Sequence, residues 1–330
     1  MIELPEAYFH SLDDLINVEF KAKRPLLGGT RLRYDAARDA ACGSMTHQAG
    51  RLLAGLKTRG TVFVTTGAGN PHTLPQGETD GPSGAAFLAR MLRAQGHRIV
   101  LLSDQAFLPG IVASFEAVGF ALGSSGDFRV VPFPLGEQNG KLKVDELLAE
   151  YPDAVAGIFI EKPGPNDRGI FHTSSGKAKA SDSVAHLHLL AEALTAQGRV
   201  TVGIGDGGNE VGFGSVGRAL EASLPLARDC GCGCGGGIVN ATRVDCLVAA
   251  STSNWGAYGV AVALALLSGQ SRELPALDLI RASVEASVRA GANDGYSGEN
   301  VSTVDGTSLE ASEAIYMLCL EQASQARALA

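Results

Sequence analysis

Residues 62–103 read VFVTTGAGNPHTLPQGETDGPSGAAFLARMLRAQGHRIVLLS. The two ends, Val62–Thr66 and Arg98–Ser103, are short apolar runs with little alternation, the pattern of parallel strands covered on both faces. Between them Phe87, Leu88, Met91 and Leu92 recur at helical spacing, and Gly96 supplies a stop. Strand, helix and strand at this spacing make a βαβ unit. The pattern repeats downstream. Arg129–Phe133, Ala156–Ile160, Thr201–Ile204 and Cys246–Ala250 read as further strands, and Leu187, Leu190, Ala191 and Leu194 mark a helix ending before Gly198. The expected fold is α/β: a single doubly wound, Rossmann-like, mostly parallel sheet of about six strands with helices on both faces.

Outside this unit the reading is coarser. Residues 1–58 are expected to form a helical extension, with a helix over Ala36–Leu56, packed on one domain spanning residues 1–330. Two more helices are expected at Leu277–Ala290 and Ser308–Ala328, and their apolar faces offer an interface for a homo-oligomer. The polar loop Gly291–Gly306 separates them. Pro163–Ala180 is the longest irregular insertion, a length usually associated with function or disorder.

Composition excludes several classes. Of 330 residues, 45% are hydrophobic and 19% charged, which is ordinary for a globular chain and too apolar for disorder. The 42 glycines imply many tight turns. A formal net charge of −8 gives no basic footprint for nucleic acid and disfavours an anionic membrane, while leaving room for a local basic pocket that takes a small anion. The uncharged stretch Cys246–Ser271 is interrupted by Ser251-Thr252-Ser253-Asn254, and its apolar part, Gly256–Leu267, is too short to span a bilayer. It reads as a buried strand followed by a buried helix. The first fifteen residues lack a basic region followed by an apolar run, so the expectation is a cytoplasmic protein with reduced thiols.

In open parallel sheets ligands bind beyond the carboxyl ends of the strands, where strand order reverses. In the common 3-2-1-4-5-6 order, the loops after the first, fourth, fifth and sixth strands meet there. They hold Thr66-Gly67-Ala68-Gly69-Asn70 and Gly77-Glu78-Thr79-Asp80-Gly81-Pro82, then Glu161-Lys162-Pro163-Gly164, Gly205-Asp206-Gly207-Gly208-Asn209-Glu210, and Ser251-Thr252-Ser253-Asn254-Trp255-Gly256. Glu78, Asp80, Glu161, Asp206 and Glu210 thus converge. Clustered carboxylates resist ionising unless a cation intervenes, and an oxygen-ligand site for Mg²⁺ or Mn²⁺ is the natural resolution. Asp294, in the C-terminal loop, is a further candidate. The glycines bring backbone N–H groups towards an anion.

Each piece also has a plainer reading. Asp80 before Gly81-Pro82 makes a good helix N-cap. The block 205–210 can be a turn with Glu210 in a first helical turn. Thr66–Gly69 lacks the G-x-G-x-x-G spacing and no Gly-Lys-Ser/Thr follows, so no nucleotide cofactor is expected. Ser174-Ser175-Gly176-Lys177 lacks the lead of a phosphate loop. Val304-Asp305-Gly306 reads as a turn. His72 reads as a solvated loop residue. Cys230-Gly231-Cys232-Gly233-Cys234 spaces its thiols by one residue, where zinc motifs use two to four, and reads as a flexible turn.

Taken together, the blocks 77–82, 161–164, 205–212 and 253–256 resemble the D-glutamate cyclase C-terminal-like family, in the family's order and over most of the chain from about Arg59. Ala257 stands where the family often has a second glycine, and Ser215 where it often has a basic residue. The resemblance implies a hydro-lyase of amino-acid metabolism, acting on a small-molecule substrate: reversible loss of water from D-glutamate to give 5-oxo-D-proline. On that reading Glu78, Asp80, Asp206 and Asp294 would hold a divalent metal. Glu161, Glu210 and Asp206 would do the proton chemistry. Gly67, Gly69, Asn70, Lys162, Asn209, Ser253 and Asn254 would hold the substrate. The same acidic crevice also suits a Mn²⁺- or Mg²⁺-dependent phosphatase acting on a small phosphate ester, or a non-catalytic metal or ligand sensor.

Overall fold

A computed structural model describes residues 4–20, 29–57, 59–123 and 126–327. The central sheet has six parallel strands: β1 (Thr61–Thr66), β2 (Arg98–Asp104), β3 (Phe128–Phe133), β4 (Ala154–Ile160), β7 (Val200–Gly205) and β8 (Cys246–Ala249). Their order is β3-β2-β1-β4-β7-β8, so direction of travel reverses between β1 and β4. Two short antiparallel strands, β5 (Phe171–His172) and β6 (Ala178–Lys179), lie in the long insertion after β4, with the 174–177 segment as their turn. The expected strands, their order and the doubly wound class are as observed.

Alternation along the strands divides the core in two. Val62, Val64, Ile99, Leu101, Ile158, Ile160 and Ile204 face one layer, while Phe63, Val100, Leu102 and Phe159 face the other. The second layer is covered by α6 (Glu137–Glu150) and α7 (His188–Ala196). The first is deeper. It holds α1 (Glu6–Ile16), α2 (Gly29–Ala41), α3 (Met45–Ala54), α4 (Pro82–Ala94) and α5 (Leu108–Ala117), with α8 (Gly217–Ser223) and α9 (Pro225–Arg228) at its β8 side. α10 (Ser253–Ser268) runs through it, followed by α11 (Asp278–Arg289) and α12 (Leu309–Arg327). Residues 253–267 of α10 are all buried, because the helix is apolar on every side and packs on α3, α4 and α12 at once. No helix among the described residues is long and apolar enough to cross a membrane.

The N-terminal segment departs from expectation. The single helix foreseen over Ala36–Leu56 is two helices, broken at Cys42-Gly43-Ser44. Cys42 and Gly43 take φ of 53° and 154°, which no continuing helix allows, and Ser44 Oγ then accepts the His47 N–H as N-cap of α3. The buried Asp13 carboxylate of α1 accepts the Met45 and Thr46 N–H groups, so α3 begins where α1 holds it. Residues 1–3, 21–28 and 58 of the extension, and the expected end of the last helix at Ala328, lie outside the described residues.

Gly84 sets the approach of α4 to α10. A Cβ there would stand 2.8 Å from both the Ala257 Cβ and the Asn254 Cα. Gly84→Ala is therefore expected to destabilise the protein by about 1–3 kcal/mol, the cost of overpacking a closed core. Urea unfolding measures it, and an unchanged midpoint would show that the two helices separate freely.

Candidate functional site

The sheet register delivers three loop starts side by side. Thr66 is opposite Ile160, and Ile160 is opposite Ile204, so Gly67, Glu161 and Gly205-Asp206 leave the sheet together at the reversal point. Asp80, Glu161 and Asp206 are buried there, and each offers a carboxylate oxygen within 4.8 Å of the others. These three, from three separate loops, are the convergent set.

Asp80 is placed by an exchange of caps. Its Oδ1 accepts the Asn254 N–H and its Oδ2 the Ser253 N–H, both at 2.8 Å, at the start of α10. Asn254 Oδ1 accepts the N–H groups of Gly81, at 3.1 Å, and Gly84, at 2.7 Å, at the start of α4. Asp80 does accept the Gly81 N–H, yet the helix whose free end it satisfies is chiefly α10. The Asn254 Nδ2 donates to Thr79 O, so this amide is occupied with the fold rather than held out to a substrate. Gly81, at φ 98°, lets the chain enter α4 where a Cβ would strike Thr66 Oγ and Glu161 Cβ.

Glu161 has a left-handed backbone, φ 46°, unusual for a residue with a side chain. Ser253 Oγ donates to its Oε2 at 2.6 Å. Burial pushes its carboxyl well above the ordinary range, and Glu210 and Asp206 add repulsion. Glu210 accepts the Gly207 N–H at 2.9 Å and the Gly208 N–H at 2.7 Å. Burial and then Asp206 raise it to about 7, against the pull of those N–H groups. Glu78 stands at the mouth, half-buried, raised by burial and by Asp305 and Asp80. Two buried polar atoms on the same rim, Thr66 Oγ and Asn209 Oδ1, have no hydrogen-bond partner, as expected of groups that face a ligand or water.

Other sequence candidates take different positions. Asp294 is buried, but Oδ1 accepts the Tyr296 and Ser297 N–H groups while Oδ2 accepts the Thr303 hydroxyl and the Gly306 N–H. It organises its own loop and is not brought into the convergent set. Asn70 Oδ1 accepts the His72 and Thr73 N–H groups, closing an exposed turn, and His72 is exposed as expected. Lys162 is buried against Asp104, with Nζ also donating to Gly67 O at 2.8 Å. Gly69 packs so closely on Phe107 that a Cβ would come within 2.7 Å of its ring. Asn209 Nδ2 donates to His172 O at 3.1 Å.

Four residues near the site carried no usable signal in the sequence. Asp104 is the last residue of β2, one beyond the expected end. Lys179, from β6, donates to Gly69 O at 3.0 Å, and burial lowers its pKa while Glu78 opposes the shift. Asp305, with φ 54°, was legible only as part of an Asp-Gly turn. His172 sits on β5. Lys179 and His172 both lie in the 163–180 insertion, whose length alone marked it.

An oxygen-only set of buried carboxylates, two of whose neighbours are forced towards neutrality, fits a hard divalent cation. It equally fits proton transfer, since Glu161 and Glu210 retain protons at pH values where free carboxyls have lost them.

Among known proteins, the family described as D-glutamate cyclase-like, C-terminal, matches residues 13–318. Human mitochondrial D-glutamate cyclase is 27% identical over 234 residues, which cover 63% of this chain. The match takes in 33% of the human protein, so the chain spans about a third of that relative's length.

The raised Glu210 pKa has a thermodynamic consequence of definite sign. Between its ordinary value of 4.5 and about 7 the unfolded chain loses this proton while the folded chain keeps it. Stability contributed by the group is complete below that window and is lost as pH rises through it. Relative to Glu210→Gln, which cannot ionise, the wild type is expected to lose stability steadily from pH 4.5 to 7. Paired denaturant titrations measure the difference, and a flat difference would mean that Glu210 titrates normally. Removing one partner of the buried Lys162–Asp104 pair, as in Lys162→Met, is expected to cost about 3–5 kcal/mol, read by the same titrations.

Proposed function

The chain belongs to the D-glutamate cyclase-like, C-terminal family, and from that premise we propose that it interconverts D-glutamate and 5-oxo-D-proline with loss or gain of water. The observation that carries the reading is the buried set Asp80, Glu161 and Asp206, three carboxylates within 4.8 Å of one another, each inside a motif block by which the chain resembles the family. In the forward direction a bond forms between the α-nitrogen and the δ-carbon, and a bond from that carbon to oxygen breaks. Two protons leave nitrogen, and the departing oxygen carries two protons away as water.

The residues divide this work. Asp206, beside Glu210, takes a proton from the substrate ammonium. Glu210, still protonated near neutral pH, gives one to the leaving oxygen. Glu161, held by Ser253 Oγ, stands beside them as the third carboxylate of the set. Asn209 Oδ1, buried and without a partner, accepts from the amine. Lys179 at the mouth supplies the countercharge for the α-carboxylate, since Lys162 is already neutralised by Asp104. Asp80, Glu161 and Asp206 would hold a Mg²⁺ or Mn²⁺ ion, with Glu78 adjoining, and such an ion would polarise the γ-carboxyl.

Proton NMR of D- and L-glutamate, and of 5-oxo-D-proline, with purified protein in Mg²⁺, Mn²⁺ or EDTA tests the reading. Interconversion of the D-enantiomer alone is expected. Asp206→Asn is expected to lower its rate by about 10²–10⁴-fold, the usual contribution of a positioned acid or base. Full turnover by Asp206→Asn, or no interconversion in either direction with any ion, would overturn it.

A further inference from the structure

At His172, whose carbonyl accepts from Asn209 Nδ2, four potential ligands meet. His172 Nε2 lies 3.4 Å from Cys232 Sγ and 3.8 Å from Cys234 Sγ. Cys230 Sγ lies 3.0 Å from Cys232 Sγ and 3.5 Å from Cys234 Sγ. All four ligand atoms fall within 4.8 Å of one another. A tetrahedron with Zn–S of about 2.3 Å and Zn–N of about 2.0 Å has S···S edges of about 3.8 Å and N···S edges of about 3.5 Å. The observed edges, 3.0–3.8 Å, are near those lengths, with Cys230–Cys232 the most compressed, and the cysteines are not joined by a disulfide.

The one-residue spacing that disfavours a zinc motif in sequence is overcome by the backbone. Gly231, Gly233 and Gly235 have φ of 75°, 88° and 76°, whereas no cysteine between them has positive φ. Alternation of this kind curls a chain into a concave nest and turns its N–H groups inward, towards negative charge. The Cys232 N–H accordingly points to Cys230 Sγ at 3.4 Å. Asn166 Nδ2 approaches Cys234 Sγ at 3.6 Å while donating to Gly237 O at 2.8 Å. The fourth ligand arrives from a segment that lies 60 residues away from Cys232 in sequence.

We propose that His172, Cys230, Cys232 and Cys234 bind one zinc ion in a closed tetrahedral site. Three thiolates and an imidazole select zinc over magnesium or calcium. Four protein ligands leave no open position, which makes the ion structural rather than catalytic. The site clips the 163–180 insertion to the 229–237 loop. Because His172 O accepts from Asn209 Nδ2, it also fixes the wall of the acidic crevice. The inference stands on thiol geometry and is independent of the reaction assigned to that crevice.

Cobalt substitution tests it directly. Protein stripped of metal under reducing conditions and given Co²⁺ is expected to show thiolate-to-cobalt charge transfer in the near ultraviolet, which the carboxylate set cannot produce. Elemental analysis of protein refilled with Zn²⁺ and dialysed is expected to find one zinc per chain, and Cys232→Ser with Cys234→Ser to abolish both signals. Should those variants fail to fold, alkylation of the wild type mapped by mass spectrometry decides. Cys232 is exposed like Cys42, so zinc is expected to slow its alkylation at least tenfold relative to Cys42, and a strong chelator to restore it. Equal alkylation of Cys232 and Cys42 in zinc-treated protein, absence of charge transfer, or a Cys230–Cys232 disulfide persisting under mild reductant would overturn the proposal.

Discussion

Asp80 and Asn254 each satisfy the open end of the helix that the other stands beside. A helix start leaves several N–H groups without partners, and burying it without caps is costly. Here two starts are buried face to face, α4 after β1 and α10 after β8, and Asp80 before the one and Asn254 in the other each accept the opposite helix's N–H groups. Caps of this kind contribute about 1 kcal/mol apiece to stability, but their larger effect is positional. They join the start of α10 to the loop after β1, and they fix a carboxylate between two positive helix ends where Glu161 and Asp206 also arrive. The glycine at position 84 belongs to the same constraint, since a side chain there would hold the helices too far apart for either cap.

With Asp80 held in place, Glu78, Glu161 and Glu210 are left in a site that opposes their ionisation. Burial is the first cause for Glu161, Glu78 and Glu210, and mutual repulsion the second. The counterweights are specific: Ser253 for Glu161, two glycine N–H groups for Glu210, Lys179 at the mouth near Glu78. Lys162, the buried cation closest in sequence to the acids, is turned to Asp104 and to a backbone carbonyl behind the loop after β1. It buttresses that loop.

The sheet was legible because buried parallel strands are short unbroken apolar runs, and the crevice because its acids follow those runs directly. Boundaries moved by a residue or two, which mattered once, at Asp104. Two kinds of residue were not legible. Lys179, His172 and Asp305 come from irregular segments, where no periodicity says which way a side chain faces. Asp294 and Asn254 were legible as polar groups near the site, but sequence does not distinguish an amide or carboxylate offered to a ligand from one consumed by its own backbone. The break between α2 and α3 was missed because Ala36–Leu56 carries helical spacing on both sides of it, and only Gly43-Ser44 signals the interruption. Sequence spacing also did not show that the three thiols of the Cys-Gly alternation meet His172, because left-handed Gly231, Gly233 and Gly235 curl that stretch.

The exchanged caps also bear on how the chain reaches this state. Asp80 and the Asn254 N–H it accepts are 174 residues apart in sequence, so the two ends of the crevice meet only by closing a very large loop, and contacts of such separation form slowly. β1, β2 and β4 are direct neighbours in the sheet, whereas β8 joins at its edge, beyond β7. Without residues 253 and 254 in place, the start of α4 lacks the Asn254 acceptor and Asp80 lacks the two α10 N–H groups that hold it. The position of Asp80 beside Glu161 and Asp206 therefore depends on a contact made across most of the sheet and more than half of the chain.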